Sequence, residues 1–196
     1  MNLFDPHTIP GYTEARDAEQ ANRDLAFLGM PIPLCGVIVR QFNLNHLILL
    51  GNCGNAFITH DKAPQPEDVA QFLWIVSKDY GTDPKARTKF VKGLRKLKYL
   101  KSVEEIREYL NGAFQDAPQG GSAGKQYTAD CAWIVEIMAH EYGWDDESIM
   151  QKPIARLFQY LRLIHKRNDP KALLFNRSEQ IVTKHLRMQM EQKEGN

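Results

Sequence analysis

The stretch PEDVAQFLWIV, residues 66–76, constrains the fold more than any other. Pro66 suits the first position of a helix, and Glu67 and Asp68 suit its electropositive end. Val69, Phe72, Leu73 and Val76 then fall at i, i+3, i+4 and i+7, the spacing of one buried helical face. Trp74 and Ile75 widen that face beyond a single stripe, so the helix must be covered on more than one side. A helix of this kind belongs at the centre of several others. The expectation is an all-α fold, a multi-helix orthogonal bundle of about seven to nine helices in one domain over 1–196. It leaves room for one short extended segment near 34–42.

The remaining segments fit that frame. TEARDAEQANRDLAFLG reads as a helix that stops at Gly29, whereas PIPLCGVIVRQF is β-branched and extended. NLNHLILLGN reads as a short helix capped by Asn43 or Asn45, with Leu44, Leu47, Ile48 and Leu50 inward, followed by FITHDKAPQ as a loop. In SVEEIREYLNGAF, Ser102 and Glu105 have the spacing of a capping box, with Val103, Ile106, Leu110 and Phe114 as the buried face. Between Lys85 and Lys101 lie eight basic residues and no acid. QDAPQGGSAGKQY has the composition of a connector, so 82–127 reads as a basic insertion followed by a Gly-rich link. Beyond it, Thr128 caps a helix that turns Ala132, Val135, Met138, Ala139 and Tyr142 to one side. Pro153 opens a helix burying Ile154, Leu157, Phe158 and Leu161. A last helix starts at Asn176 or Arg177 and runs into a polar tail at 187–196.

Charge and cysteine content narrow the function classes. With 25 basic and 24 acidic residues the net charge is +1, so any electrostatic function must be local. Cys35, Cys53 and Cys131 are far apart and odd in number, which is the usage of reduced thiols. No apolar run approaches the length of a bilayer span, and the opening MNLFDPHTIPGY lacks the pattern of a signal peptide. A cytoplasmic protein with no membrane contact is expected.

HEYGWDDE, residues 140–147, crowds five potential metal-binding or proton-transferring groups into eight residues. A zinc hydrolase of the HExxH kind needs a second histidine four residues after His140, and Trp144 stands there. A joint between helices accounts for the whole string. Gly143 ends one helix, Asp145 caps the next, Asp146 and Glu147 face its dipole, and Trp144 staples against Ile149 ahead of Pro153. In the basic cluster Arg156, Arg162, His165, Lys166 and Arg167, the last three suit a helix carboxyl end. Histidines are dispersed, nucleotide-binding and hydrolase signatures are missing, and neither metal nor cofactor is expected.

Two stretches together carry a family resemblance. FNLNHLILLGNCGNAFITHDKAPQPEDVAQFLWIVSKDY and DCAWIVEIMAHEYGWDDESIMQKPIARLFQYLRLIHKRNDPKALLFN resemble small proteins encoded beside tape-measure genes in tailed phages and prophages. The likeness covers roughly half the chain and is similar to phage tail assembly chaperones. It implies a non-enzymatic helper in the bacterial host cytoplasm that binds the tape-measure protein, or another tail protein, before the tube forms. On this reading Lys92, Arg95 and Lys96 form an electrostatic rim, and Trp74 or Trp133 offers apolar contact. Two alternatives come from other classes: a nucleic-acid-binding adaptor using 85–101, and a metal-dependent hydrolase centred on His140 with Glu141 and Asp145.

Overall fold

The computed structural model describes residues 5–82, 84–94, 97–117, 130–170 and 177–194. Among them are ten α-helices and one two-stranded antiparallel hairpin. A 3-10 turn at Pro6–Thr8 leads into α1 (Tyr12–Leu28), and the hairpin follows as β1 (Ile32–Leu34) and β2 (Val37–Val39). Next come α2 (Leu44–Asn52), α3 (Ala56–Thr59), α4 (Pro66–Val76), α5 (Pro84–Leu94) and α6 (Tyr99–Phe114). The chain closes with α7 (Asp130–Tyr142), α8 (Asp146–Gln151), α9 (Ile154–Asn168) and α10 (Arg177–Glu194). The fold is all-α in character, with more helices than the seven to nine expected. The additional one is α3, a single turn inside the stretch read as a loop.

The central helix is α4. Phe72, Leu73 and Val76 are fully buried and Val69 nearly so, each such side chain contributing roughly 1.5–3 kcal/mol of burial free energy. Phe72 stacks on Phe42 at 6.2 Å, and both rings meet Tyr109 of α6 edge-on at 6.1 Å. Trp74 turns away from this cluster and is covered by Tyr80 and by Phe90 of α5, at 5.8 and 5.1 Å. The wide apolar arc thus serves the core on one side and α5 on the other.

Four expectations are corrected by packing. The extended region is two short strands over 32–39 rather than one segment near 34–42. Cys35 and Gly36 both take positive φ, as a two-residue hairpin turn requires. Helix α6 starts a full turn before Ser102, with Lys98 at its N-cap. Ser102 is buried within α6 rather than at its cap and Glu105 accepts a hydrogen bond from the Cys35 backbone N–H at 2.9 Å, so the supposed capping box links α6 to the hairpin instead. That same helix places Val103 and Ile106 in the core, so this part of 82–127 is integral rather than inserted. On α2, Ile48 is exposed and His46 buried, because α4 and α8 cover the arc carrying Leu44, His46 and Leu50.

Further along, α7 buries Ile134 and Met138 and leaves Ala132 exposed, shifting its inner face from the expected one. The connector and Thr128 lie outside the described residues. Helix α10 continues through Glu194, so most of the polar stretch from 187 is helical.

One acid ties distant elements together. Asp116, just beyond α6, has a fully buried side chain and receives Arg23 of α1 through two hydrogen bonds, at 2.7 and 2.9 Å. Arg162 of α9 reaches the same carboxylate at 3.1 Å. The Asp116 hydrogen bond holds the Arg23 guanidinium above its usual range. Nearby, buried Glu19 accepts from the backbone N–H and the hydroxyl of Ser178, at 3.0 and 2.8 Å, fastening α10 to α1.

Candidate functional site

The joint between α7 and α8 is built from local signals. Gly143 takes a positive φ of 64°, and its N–H donates to the Ala139 carbonyl at 2.9 Å, closing α7. Asp145 then accepts the Ser148 N–H at 2.8 Å and caps α8. Ile149 is fully buried. The chain re-enters the core after Pro153, where Ile154 N–H donates to the Phe42 carbonyl at 2.7 Å.

Around this joint the side chains form an aromatic and cationic wall. Trp144 stacks on Tyr142 at 5.0 Å, and both meet Tyr160 of α9 at 5.1 Å. Lys152 lies 4.4 Å from the Trp144 ring centre and donates to the Ser148 hydroxyl at 2.5 Å. Arg156 sits over Phe27 at 5.0 Å, and its buried Nε has no hydrogen-bond partner. Partial burial raises the Tyr142 phenol above its ordinary range.

The lip of the wall comes from the end of α1. Phe27, Leu28 and Met30 are 43, 67 and 55% exposed, a run of large apolar side chains facing water. Phe27 joins the lip to the wall through Tyr160 at 5.8 Å. Gly29, within the run, also lines an open cavity of about 550 Å3 whose other walls include Arg40, Gln41, Asn43, Asp145 and Lys152. Its floor is anchored: Arg40 donates to the Lys78 carbonyl at 2.9 Å and Gln41 to the Met30 carbonyl at 3.1 Å. The arrangement is a groove with a fixed polar floor and an apolar lip, suited to an amphipathic segment of another chain.

The residues proposed from sequence as partner contacts are dispersed. Trp74 is half-buried beneath α5, Lys92 is exposed on α5, and Trp133 on α7 is 38% exposed. Arg95 and Lys96 lie outside the described residues. His140 is exposed, and Glu141 beside it is engaged by Arg167, while Asp145 is turned to its capping role. Among the described residues, no group of three or more His, Cys, Asp and Glu is placed to hold a metal ion. Sequence reasoning missed Phe27, Leu28 and Met30, because apolar residues at the end of an amphipathic helix read as core. It also gave Arg156 no role beyond membership of a basic cluster, whereas its guanidinium packs over the Phe27 and Tyr160 rings. No helix among the described residues is long and apolar enough to cross a membrane.

Comparisons with protein-family models, with curated proteins and with solved structures give no match.

Proposed function

We propose that this chain is a non-enzymatic binding protein that assists phage or prophage tail assembly by holding the tape-measure protein before the tube forms. The observation that carries the reading is the exposed run Phe27, Leu28 and Met30 beside the groove at the α7–α8 joint. Large apolar side chains gathered at the rim of a concavity mark sites of protein contact, whereas singly scattered ones do not. A tape-measure chain is long and largely helical, and its apolar stripes need cover until assembly. An amphipathic helix laid in the groove would set its apolar face on the lip and its polar face over Arg40, Asp145 and Lys152. Tyr142, Trp144, Pro153 and Arg156, which belong to the stretch resembling tail assembly chaperones, build or border this site.

Co-expression with the tape-measure protein of the same genome tests the reading. Replacing both Leu28→Asp and Met30→Asp leaves the fold intact, since both side chains face water, and lowers the affinity of the soluble complex roughly tenfold or more. Undiminished complex with the double variant would place the client elsewhere.

A further inference from the structure

A second concavity, remote in sequence from the groove residues, lies between the loop after α3 and the outer side of α6. It measures about 280 Å3, with Ala56, Phe57, Ala63, Pro64 and Leu110 as apolar lining and His60, Lys62, Arg107 and Asn111 as polar lining. No acid lines it. Among the described residues, the side chains of His60, Arg107 and Asn111 have no hydrogen-bond or ion-pair partner. Lys62 has only a loose contact, its ammonium lying 3.9 Å from Asp68, and it is half exposed. Asp68 spends its carboxylate on the backbone N–H groups of Gln65 and Ala56, at 2.8 and 3.2 Å. The nearest acid in the loop, Asp61, is taken by the Thr59 hydroxyl at 2.5 Å.

The concavity is held open by its own loop. His60 ends α3 in the left-handed conformation at φ 55°, which turns the chain sharply into residues 61–64. The far end is pinned by the Tyr99 hydroxyl, which donates to the Pro64 carbonyl, and by the Gln65 side-chain amide, which donates to Ala63. Beneath, Asn55 is fully buried and donates to the Asp68 carbonyl and to Gln71, both at 2.9 Å. A site fixed in this way loses little freedom when a ligand enters.

We propose that this concavity binds a carboxylate carried on a compact apolar group. Arg107 and Lys62 supply charge-assisted hydrogen bonds to the oxyanion, Asn111 adds a neutral donor, and the apolar end rests on Phe57 and Leu110. The space suits one branched aliphatic body, below the size range of most ligand sites. Such a carboxylate is supplied by a free short-chain acid or by the terminal residue of another polypeptide. The two share their chemistry and differ in what extends beyond the carboxylate's neighbouring carbon.

Amide-resolved NMR titration of the full chain tests the site, with 4-methylpentanoate, its neutral amide and N-acetyl-leucine as probes. Expected are saturable shifts confined to 56–64 and 107–111 for a carboxylate, and binding of the amide weaker by roughly fivefold or more. Tighter binding of N-acetyl-leucine than of 4-methylpentanoate assigns the site to a chain terminus, and the reverse to a free acid. Arg107→Gln removes a side chain without a partner, so it keeps the thermal midpoint and weakens carboxylate binding roughly fivefold. Equal binding of amide and carboxylate, shifts scattered over the surface, or an unaltered affinity in the Arg107→Gln variant would overturn the proposal. The groove variant at Leu28 and Met30 leaves these readouts unchanged, which separates this site from the client-binding reading.

Discussion

On α2, His46 is 4% exposed, its ring lies 5.8 Å from that of Phe42, and its Nδ1 has no hydrogen-bond partner. Burial, with a smaller contribution from the Arg40 charge, lowers its pKa from 6.5 to about 4. The folded chain therefore keeps this imidazole neutral where the unfolded chain would protonate it. Above pH 6.5 neither state binds the proton and the contribution to stability is complete. As pH falls from there towards 4, the unfolded state gains protons that the folded state does not, and stability is lost. The loss from this residue is about 3 kcal/mol at most. Urea denaturation of the protein and of His46→Leu at pH 7 and pH 4.5 isolates it from the carboxylates, which titrate in both. A smaller decline in the variant is expected, and equal declines would show that His46 is not held neutral. The residue also shows where single-sequence reasoning stops. Histidine offers no pattern that separates a buried neutral ring from a surface one, and only the joint cover of α4 and α8 decides.

Among whole elements, the Asp116 contact has the largest expected effect. One carboxylate receives guanidiniums from α1 and α9, which are 21 and 18% exposed, while its own side chain is fully buried. Asp116→Asn would remove the buried carboxylate charge that two partly desolvated guanidiniums share, at a cost of about 3 kcal/mol. Urea denaturation should show a lower midpoint with an unchanged slope, and a change below about 0.5 kcal/mol would mean that the two arginines are satisfied without this carboxylate. Elements whose signals are local were legible in the sequence. Pro66 with its two acids, Gly29 as a stop, and Gly143 with Asp145 all act on backbone groups within one turn. The start of α6 was not legible, because Glu105 answers to the hairpin rather than to its own helix. Neither was the lip of the groove: nothing in DLAFLGM tells Ala26, which is buried, from Phe27, Leu28 and Met30, which are not. Arg107 and His60 line one concavity only because α6 returns past the loop after α3.

For the molecule as a whole, the near-neutral charge hides an uneven surface. Arg87, Lys89 and Lys92 are exposed on α5, and the helix carries no acid. If α5 steers an acidic client, Lys89→Glu with Lys92→Glu slows association roughly tenfold at low salt and flattens its salt dependence, leaving the helical signal intact. Unchanged association rates would make α5 a solvated face, and salt-sensitive binding of duplex DNA would favour the adaptor reading. The long reach of α1 bears on how the chain is made. Its neighbours α9 and α10 are made long after it, and Glu19 and Arg23 on α1 take Ser178 of α10 and Asp116 beyond α6 as their partners. Until those elements are made, α1 therefore waits with an unmatched face. A nascent chain stalled before residue 177 should remain open to limited proteolysis within 12–28, and a chain in which α10 has emerged and folded should close that window.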